Sequence, residues 1–119
     1  MKRGEIWTVS AGGDYVGKPR PAVIVQDDAF DATASVTICS FTTEPAEAPL
    51  LRLPVAPSPQ NGLDARSSLM VDKLTTIPRR KMGILVGRLG DEDMVRLNRA
   101  LLVFLGLAGT PRAPSQLGP

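Results

Sequence analysis

"GKPRPAVIVQDD", residues 17–28, decides how this chain is read. Arg20 stands between Pro19 and Pro21, and an unbroken apolar run, Ala22 to Val25, follows at once. Proline fixes φ near one value and drives the residue before it into extended geometry. The stretch therefore reads as a buried strand entered at Pro21, where proline is tolerated. A side chain that is always charged is held still at its mouth.

On the N-terminal side, "GEIWTVS" at 4–10 alternates loosely, carries β-branched and aromatic residues, and reads as a strand. "AGGDYVGKP" between the two strands is loop chemistry, rich in glycine. On the C-terminal side, "ASVTICSFTT" at 34–43 is a third strand, and "PLLRLPV" at 49–55 a fourth whose prolines suit an edge. Turn residues around Asn61-Gly62 lead to "SLMVDKLTTI" at 68–77, read as a fifth strand. "KMGILVGRL" at 81–89 is a sixth, whose glycines suggest a bend or bulge.

One helix closes the pattern. Asp91 is expected as its N-cap, with Glu92 and Asp93 in the first turn where acidic groups suit the dipole. Met94, Leu97, Leu101, Leu102 and Leu105 recur at helical spacing, and Gly106 can end it. That stripe reads as core or subunit interface. "AGTPRAPSQLGP" at 108–119 carries too little apolar content to fold and is expected to be a flexible tail. The expectation is a single domain over 1–107, mainly β with one C-terminal helix, as a strongly bent sheet or half-open barrel.

Composition narrows the chemistry. The 119 residues contain no histidine and one cysteine, Cys39. A His-based catalytic pair and the usual zinc sites are thereby excluded, and Cys39 reads as a small buried hydrophobe. No run approaches a membrane span and no apolar signal core follows "MKRGEIW", so a cytoplasmic protein is expected. The net charge of +2 is too small to imply strong nonspecific nucleic-acid binding. Its distribution says more: residues 1–60 hold 5 basic and 7 acidic groups, residues 61–119 hold 9 and 5. "RRK" at 79–81, with Lys73 nearby, is either a solvated turn or a phosphate-binding patch.

Taken in order, these pieces resemble the MazF/PemK/Kid family of toxin endoribonucleases. "KRGEIW" at 2–7 is similar to the family's opening strand, and "GKPRPAVIVQDDAF" at 17–30 to its arginine–proline strand. "TICSFTT" at 37–43 resembles its third strand, which ends in threonine. "SLMVDKLTTIPRRKM" at 68–82 resembles the segment with an acidic residue followed by a Thr-Ile pair, and "DEDMVRLNRALLVFLGL" its C-terminal helix. Five pieces in the right order and spacing are far more specific than any one of them.

The resemblance implies an SH3-like half-open barrel of the MazF/CcdB kind and a homodimer. It also implies cleavage of single-stranded RNA at a short sequence, with no metal or other cofactor, and neutralisation by a cognate antitoxin. By the same resemblance Arg20 matches a catalytic arginine and Thr42 a catalytic threonine. Asp72 matches a position that is catalytic aspartate in one branch and glutamate in another. That branch has an arginine in the acid role where this chain has Met70, and a first-loop histidine where this chain has none.

The chemistry is feasible with these residues. The RNA 2′-hydroxyl can serve as nucleophile, and a rigid guanidinium suits the charge that develops on the phosphorane oxygens. Read without the resemblance, Arg20 equally suits a strand-stitching ion pair with Asp27, Asp28 or Asp72. Thr42 offers a hydroxyl donor; Thr43 faces the other side of a regular strand, would exchange roles with Thr42 on a slip of one residue, and is a candidate for RNA binding. Asp72 is the best-placed base, although an aspartate is a weak one unless burial strengthens it. Asp14 and Tyr15 in the first loop are candidates for positioning RNA. Lys18, Lys73, Arg79 and Arg80 are candidates for phosphate contacts. Trp7 could stack a base but suits a core position better.

Two readings compete with the ribonuclease. One is a noncatalytic toxin on the same fold that binds DNA gyrase, as CcdB does; such toxins end in a tryptophan–glycine–x–isoleucine-like tail, which "PSQLGP" does not resemble. The other is a plain SH3-like interaction domain, which needs clustered aromatics; the chain has five in all.

Overall fold

The computed structural model describes residues 1–10, 19–44 and 51–109. Among the described residues are seven strands: β1 (Glu5–Val9), β2 (Arg20–Ile24), β3 (Ser35–Thr42), β4 (Arg52–Val55), β5 (Ser67–Met70), β6 (Thr75–Pro78) and β7 (Met82–Arg88). One α-helix, α1 (Asp91–Phe104), follows. The strands run in the order β4-β5-β3-β2-β1-β7, and β6 lies off this path, paired with β3. Every pairing is antiparallel, and the ordered path ends on β4 and β7 without closing.

β2 is central, and both of its faces are covered. Val23 packs in one buried cluster with Ile6, Cys39, Phe41, Leu69, Val71, Leu97 and Leu101, beneath α1. Ala22 and Ile24 pack in a second cluster with Val36, Ile38 and Met82, against which Trp7 and Val9 lean. A strand covered on both sides reads as a continuous apolar run, which explains "AVIV". Pro21 fits because the ladder to β3 begins one residue later, at Ala22↔Ser40.

The expected fifth strand is two strands. β5 pairs with the end of β3, through Phe41↔Leu69 and Thr42↔Ser68. β6 pairs with its beginning, from Ser35↔Pro78 to Ile38↔Thr75. A 3₁₀ turn, Val71–Lys73, makes the step between them. The glycines of β7 behave as expected: its register on β1 shifts on either side of Trp7↔Leu85.

The helix begins one residue earlier than the sequence suggests. Gly90 is its N-cap, with no side-chain cap, and Asp91 is its first residue. Asp91, Glu92 and Asp93 still occupy the first turn, where they complement the dipole. Gly106 ends it at φ +73. Its N–H bonds Val103 O at 3.1 Å, and Leu107 N–H bonds Leu102 O at 2.8 Å, the paired bonds of a Schellman cap. The apolar stripe divides: Leu97 and Leu101 are buried, while Leu102 and Leu105 are exposed.

Candidate functional site

Arg20 is the first residue of β2 and is exposed. Thr42 is the last residue of β3 and is half-buried. The β2–β3 register, Ala22↔Ser40, Val23↔Cys39, Ile24↔Ile38, continued by two residues, sets Arg20 opposite Thr42. Residues directly opposite in an antiparallel pair lie on one face with neighbouring side chains. That face is the one carrying Ala22 and Ile24, at the open end of the second cluster. Thr42 Oγ1 accepts a bond from Glu44 N–H at 3.2 Å, so its hydroxyl proton remains available as a donor. Thr43 follows the strand and is exposed.

The three carboxylates that could have paired with Arg20 are engaged elsewhere. Asp27 accepts from Ala29 N–H at 2.9 Å, and Asp28 from Arg3 N–H at 2.6 Å. Asp72 is bonded to Arg52 Nη1. Among the described residues Arg20 makes no ion pair.

The same face extends across β5 and β4. Thr42 pairs with Ser68, and Ser68 in turn with Pro54. Two residues along, Met70 pairs with Arg52. Leu53 and Val55, on the opposite face of β4, join the first cluster. Arg52 therefore shares a face with Thr42 and bonds Asp72, while among the described residues no hydrogen bond or ion pair joins Asp72 to Arg20 or Thr42. The sequence reading passed over Arg52. The available signal was period two: a lone arginine between Leu51 and Leu53 in an edge strand.

Of the other candidates, Lys73 and Arg80 are exposed and close to these strands in the chain. Arg79 is half-buried and tied into the fold. Its N–H bonds Ala34 O at 2.9 Å and its Nε bonds Thr33 O at 2.8 Å. Its Nη2 is buried without a partner among the described residues. Asp14, Tyr15 and Lys18 lie outside the described residues. Ser10 N–H bonds Lys81 O at 3.1 Å, which brings the "RRK" turn next to the Val9↔Arg20 pair. Trp7 is half-buried against the second cluster, its Nε1–H bonded to Glu5 Oε1 at 3.1 Å. Cys39 is fully buried, and burial first, then Asp72, pushes its thiol up to about 12. A thiol so protonated is no nucleophile at neutral pH. Among the described residues no group of three or more His, Cys, Asp or Glu is gathered to hold a metal ion.

Residues 2–105 match the family model described as the PemK-like, MazF-like toxin of type II toxin–antitoxin systems. The chain belongs to that family. It is 60% identical, over 92% of its own length and 100% of the relative's, to a probable endoribonuclease MazF of Mycolicibacterium smegmatis. Among solved structures, a mycobacterial endoribonuclease in complex with its cognate antitoxin matches with a TM-score of 0.74 and 26% identity, covering 92% of this chain and 99% of that one. A MazE–MazF complex from Deinococcus radiodurans superposes with a TM-score of 0.73 at 15% identity over 91% of this chain and 98% of that one, which shows the shared fold. The PemK/MazF fold is thus the unclosed, mainly β sheet with one terminal helix described above. No helix among the described residues is long and apolar enough to cross a membrane.

Proposed function

We propose that this toxin is an endoribonuclease that cleaves single-stranded RNA at a short sequence without a metal ion. In this reading it acts in the cytoplasm as a homodimer and is silenced by a cognate antitoxin. What supports it is the β2–β3 register, which when extended two residues past Ala22↔Ser40 sets Arg20 opposite Thr42, in a chain 60% identical to a probable endoribonuclease.

The RNA 2′-oxygen attacks the adjacent phosphorus, and the P–O5′ bond breaks. The products are a 2′,3′-cyclic phosphate and a 5′-hydroxyl. The forked N–H groups of Arg20 bond two phosphorane oxygens, and the Thr42 hydroxyl donates to the same group. The prolines on either side hold Arg20 in place, so little reorganisation accompanies the rise of negative charge. Asp72 Oδ1 is taken by Arg52, which leaves Oδ2 to receive the 2′-hydroxyl proton. Arginine stays protonated, so Arg20 is an electrostatic group and not the base. Water reprotonates the leaving 5′-oxygen. Lys73, Arg80 and Lys18 contact flanking phosphates, and Asp14, Tyr15 and Thr43 help seat the bases.

Incubation of purified protein with a long unstructured RNA in excess EDTA tests the reading. Discrete fragments with cyclic-phosphate and 5′-hydroxyl ends are expected. Fragments that form only on adding magnesium would overturn the metal-free mechanism. No fragments under any condition would overturn the ribonuclease.

A further inference from the structure

We propose that Arg52 is a positioning residue of this site, acting on RNA cleavage only through Asp72. The proposal rests on the ribonuclease reading above and deepens it.

Arg52 sits on an edge strand, where an arginine would ordinarily extend into water. Instead its side chain is 15% exposed and that of Asp72 25%. Arg52 Nη1 bonds Asp72 Oδ1 and also donates to Leu51 O at 3.3 Å. The guanidinium is thus pinned at its own backbone before it holds the carboxylate. Burial to this degree argues against direct work on RNA, because a phosphate-binding arginine needs its outer edge open to the backbone of the substrate. It argues for a fixed strut.

Asp72 needs one. It lies in a 3₁₀ turn where β5 leaves β3, past the last ladder pair, so no strand neighbour sets its rotamer. One nitrogen, Nη1, bonds both Asp72 Oδ1 and Leu51 O, so the carboxylate is tied to the β4 backbone through a single short strut. The strut comes from the register position opposite Met70, on the face shared with Thr42. A structural ion pair alone would do nothing for turnover. A base held within a fraction of an ångström of its working position would do a great deal.

The test is a double-mutant cycle on single-turnover cleavage by the full chain at saturating RNA, where binding does not enter the rate. Arg52→Met should slow the chemical step by about tenfold to a hundredfold, the range for misplacing a reacting group. Asp72→Asn should slow it at least as much. The Arg52→Met/Asp72→Asn double variant should be no slower than Asp72→Asn alone, since a strut has nothing left to hold. Arg52→Lys keeps the charge and loses the fork, and should fall between wild type and Arg52→Met. Additive losses in the double variant would overturn the proposal, as would a wild-type rate in either single variant. Arg52→Met strands the Asp72 carboxylate without its partner, so the melting temperature of each variant is measured beside its rate. Where Arg52→Met unfolds the chain, Arg52→Lys takes its place in the cycle, and a wild-type rate for it would overturn the proposal. If Asp72→Asn falls below detection, Arg52→Lys decides, by a slowed rate at unchanged melting temperature. A wild-type chain that cleaves no RNA would sink the ribonuclease itself, an outcome distinct from all of these.

Discussion

Arg20, at the first position of β2, and Thr42, at the last position of β3, face each other across the sheet once the Ala22↔Ser40 register is carried two residues on. The first residue is exposed and among the described residues bears no ion pair; the second keeps a hydroxyl proton to give. Arg20 thus stands at the end of a strand buried on both faces, with no counter-charge among the described residues.

Arg20→Ala should lower the cleavage rate by about 10²–10³, the usual loss for a donor that stabilises transition-state charge. Arg20→Lys should also be slow, because an ammonium lacks the fork. RNA affinity, measured by filter binding with a 2′-deoxy oligonucleotide, should change far less than the rate. A lysine variant with wild-type turnover would contradict a bidentate role.

Thr42 and Thr43 separate by position. Thr42→Val removes the donor, keeps the β-branched shape, and should slow cleavage by about tenfold or more, in line with one lost donor. Thr43→Val should leave the chemical step unchanged, because Thr43 lies past the end of β3 and is exposed. Single-turnover rates of the two variants distinguish them directly.

The "RRK" turn also divides. Arg79→Ala should destabilise the fold by about 1–3 kcal/mol through lost bonds to Thr33 and left-over acceptors. Arg80→Glu, exposed, should stay within about 0.5 kcal/mol of wild type. It should nevertheless slow association with RNA at low salt and flatten the salt dependence. Denaturant melts and stopped-flow association check both halves.

Cys39 gives a pH signature. Its folded value, pushed from 9.0 to about 12, lies above the unfolded one, so the folded state holds the proton more tightly. The resulting stabilisation is complete below about pH 9 and is lost as pH rises toward about 12. Cys39→Ala should be less stable at pH 7 because of the cavity, yet lose less stability between pH 9 and pH 11. The native thiol should resist alkylation until denaturant is added.

Much of this was legible in the sequence. Two prolines and "AVIV" define β2, because backbone restriction and two-sided burial both leave local marks. The five ordered segments identify the family. What was not legible depends on distant pairing. "SLMVDKLTTI" carries no glycine or proline at its break, since the step at Val71–Lys73 is set by β3 taking different partners at its two ends. The tie between Arg52 and Asp72 spans 20 positions and has no local pattern. Arg79 reads as one of three cations in a solvated turn or phosphate-binding patch, and only the turn against Thr33 and Ala34 ties it, half-buried, into the fold. The helix stripe gave the correct face, but it could not show that the sheet covers Leu97 and Leu101 and stops short of Leu102 and Leu105.

The central claim is that the substrate's own 2′-hydroxyl is the nucleophile, with Arg20 and Thr42 receiving the charge. One substitution in the substrate tests it. An RNA oligonucleotide containing the cleaved sequence is compared, in EDTA, with the same oligonucleotide carrying a single 2′-deoxy residue immediately 5′ to the scissile phosphate. The account predicts cleavage of the first to a 2′,3′-cyclic phosphate and a 5′-hydroxyl, and none of the second, while both bind with similar affinity. Cleavage of the deoxy-substituted strand at the same bond would contradict it.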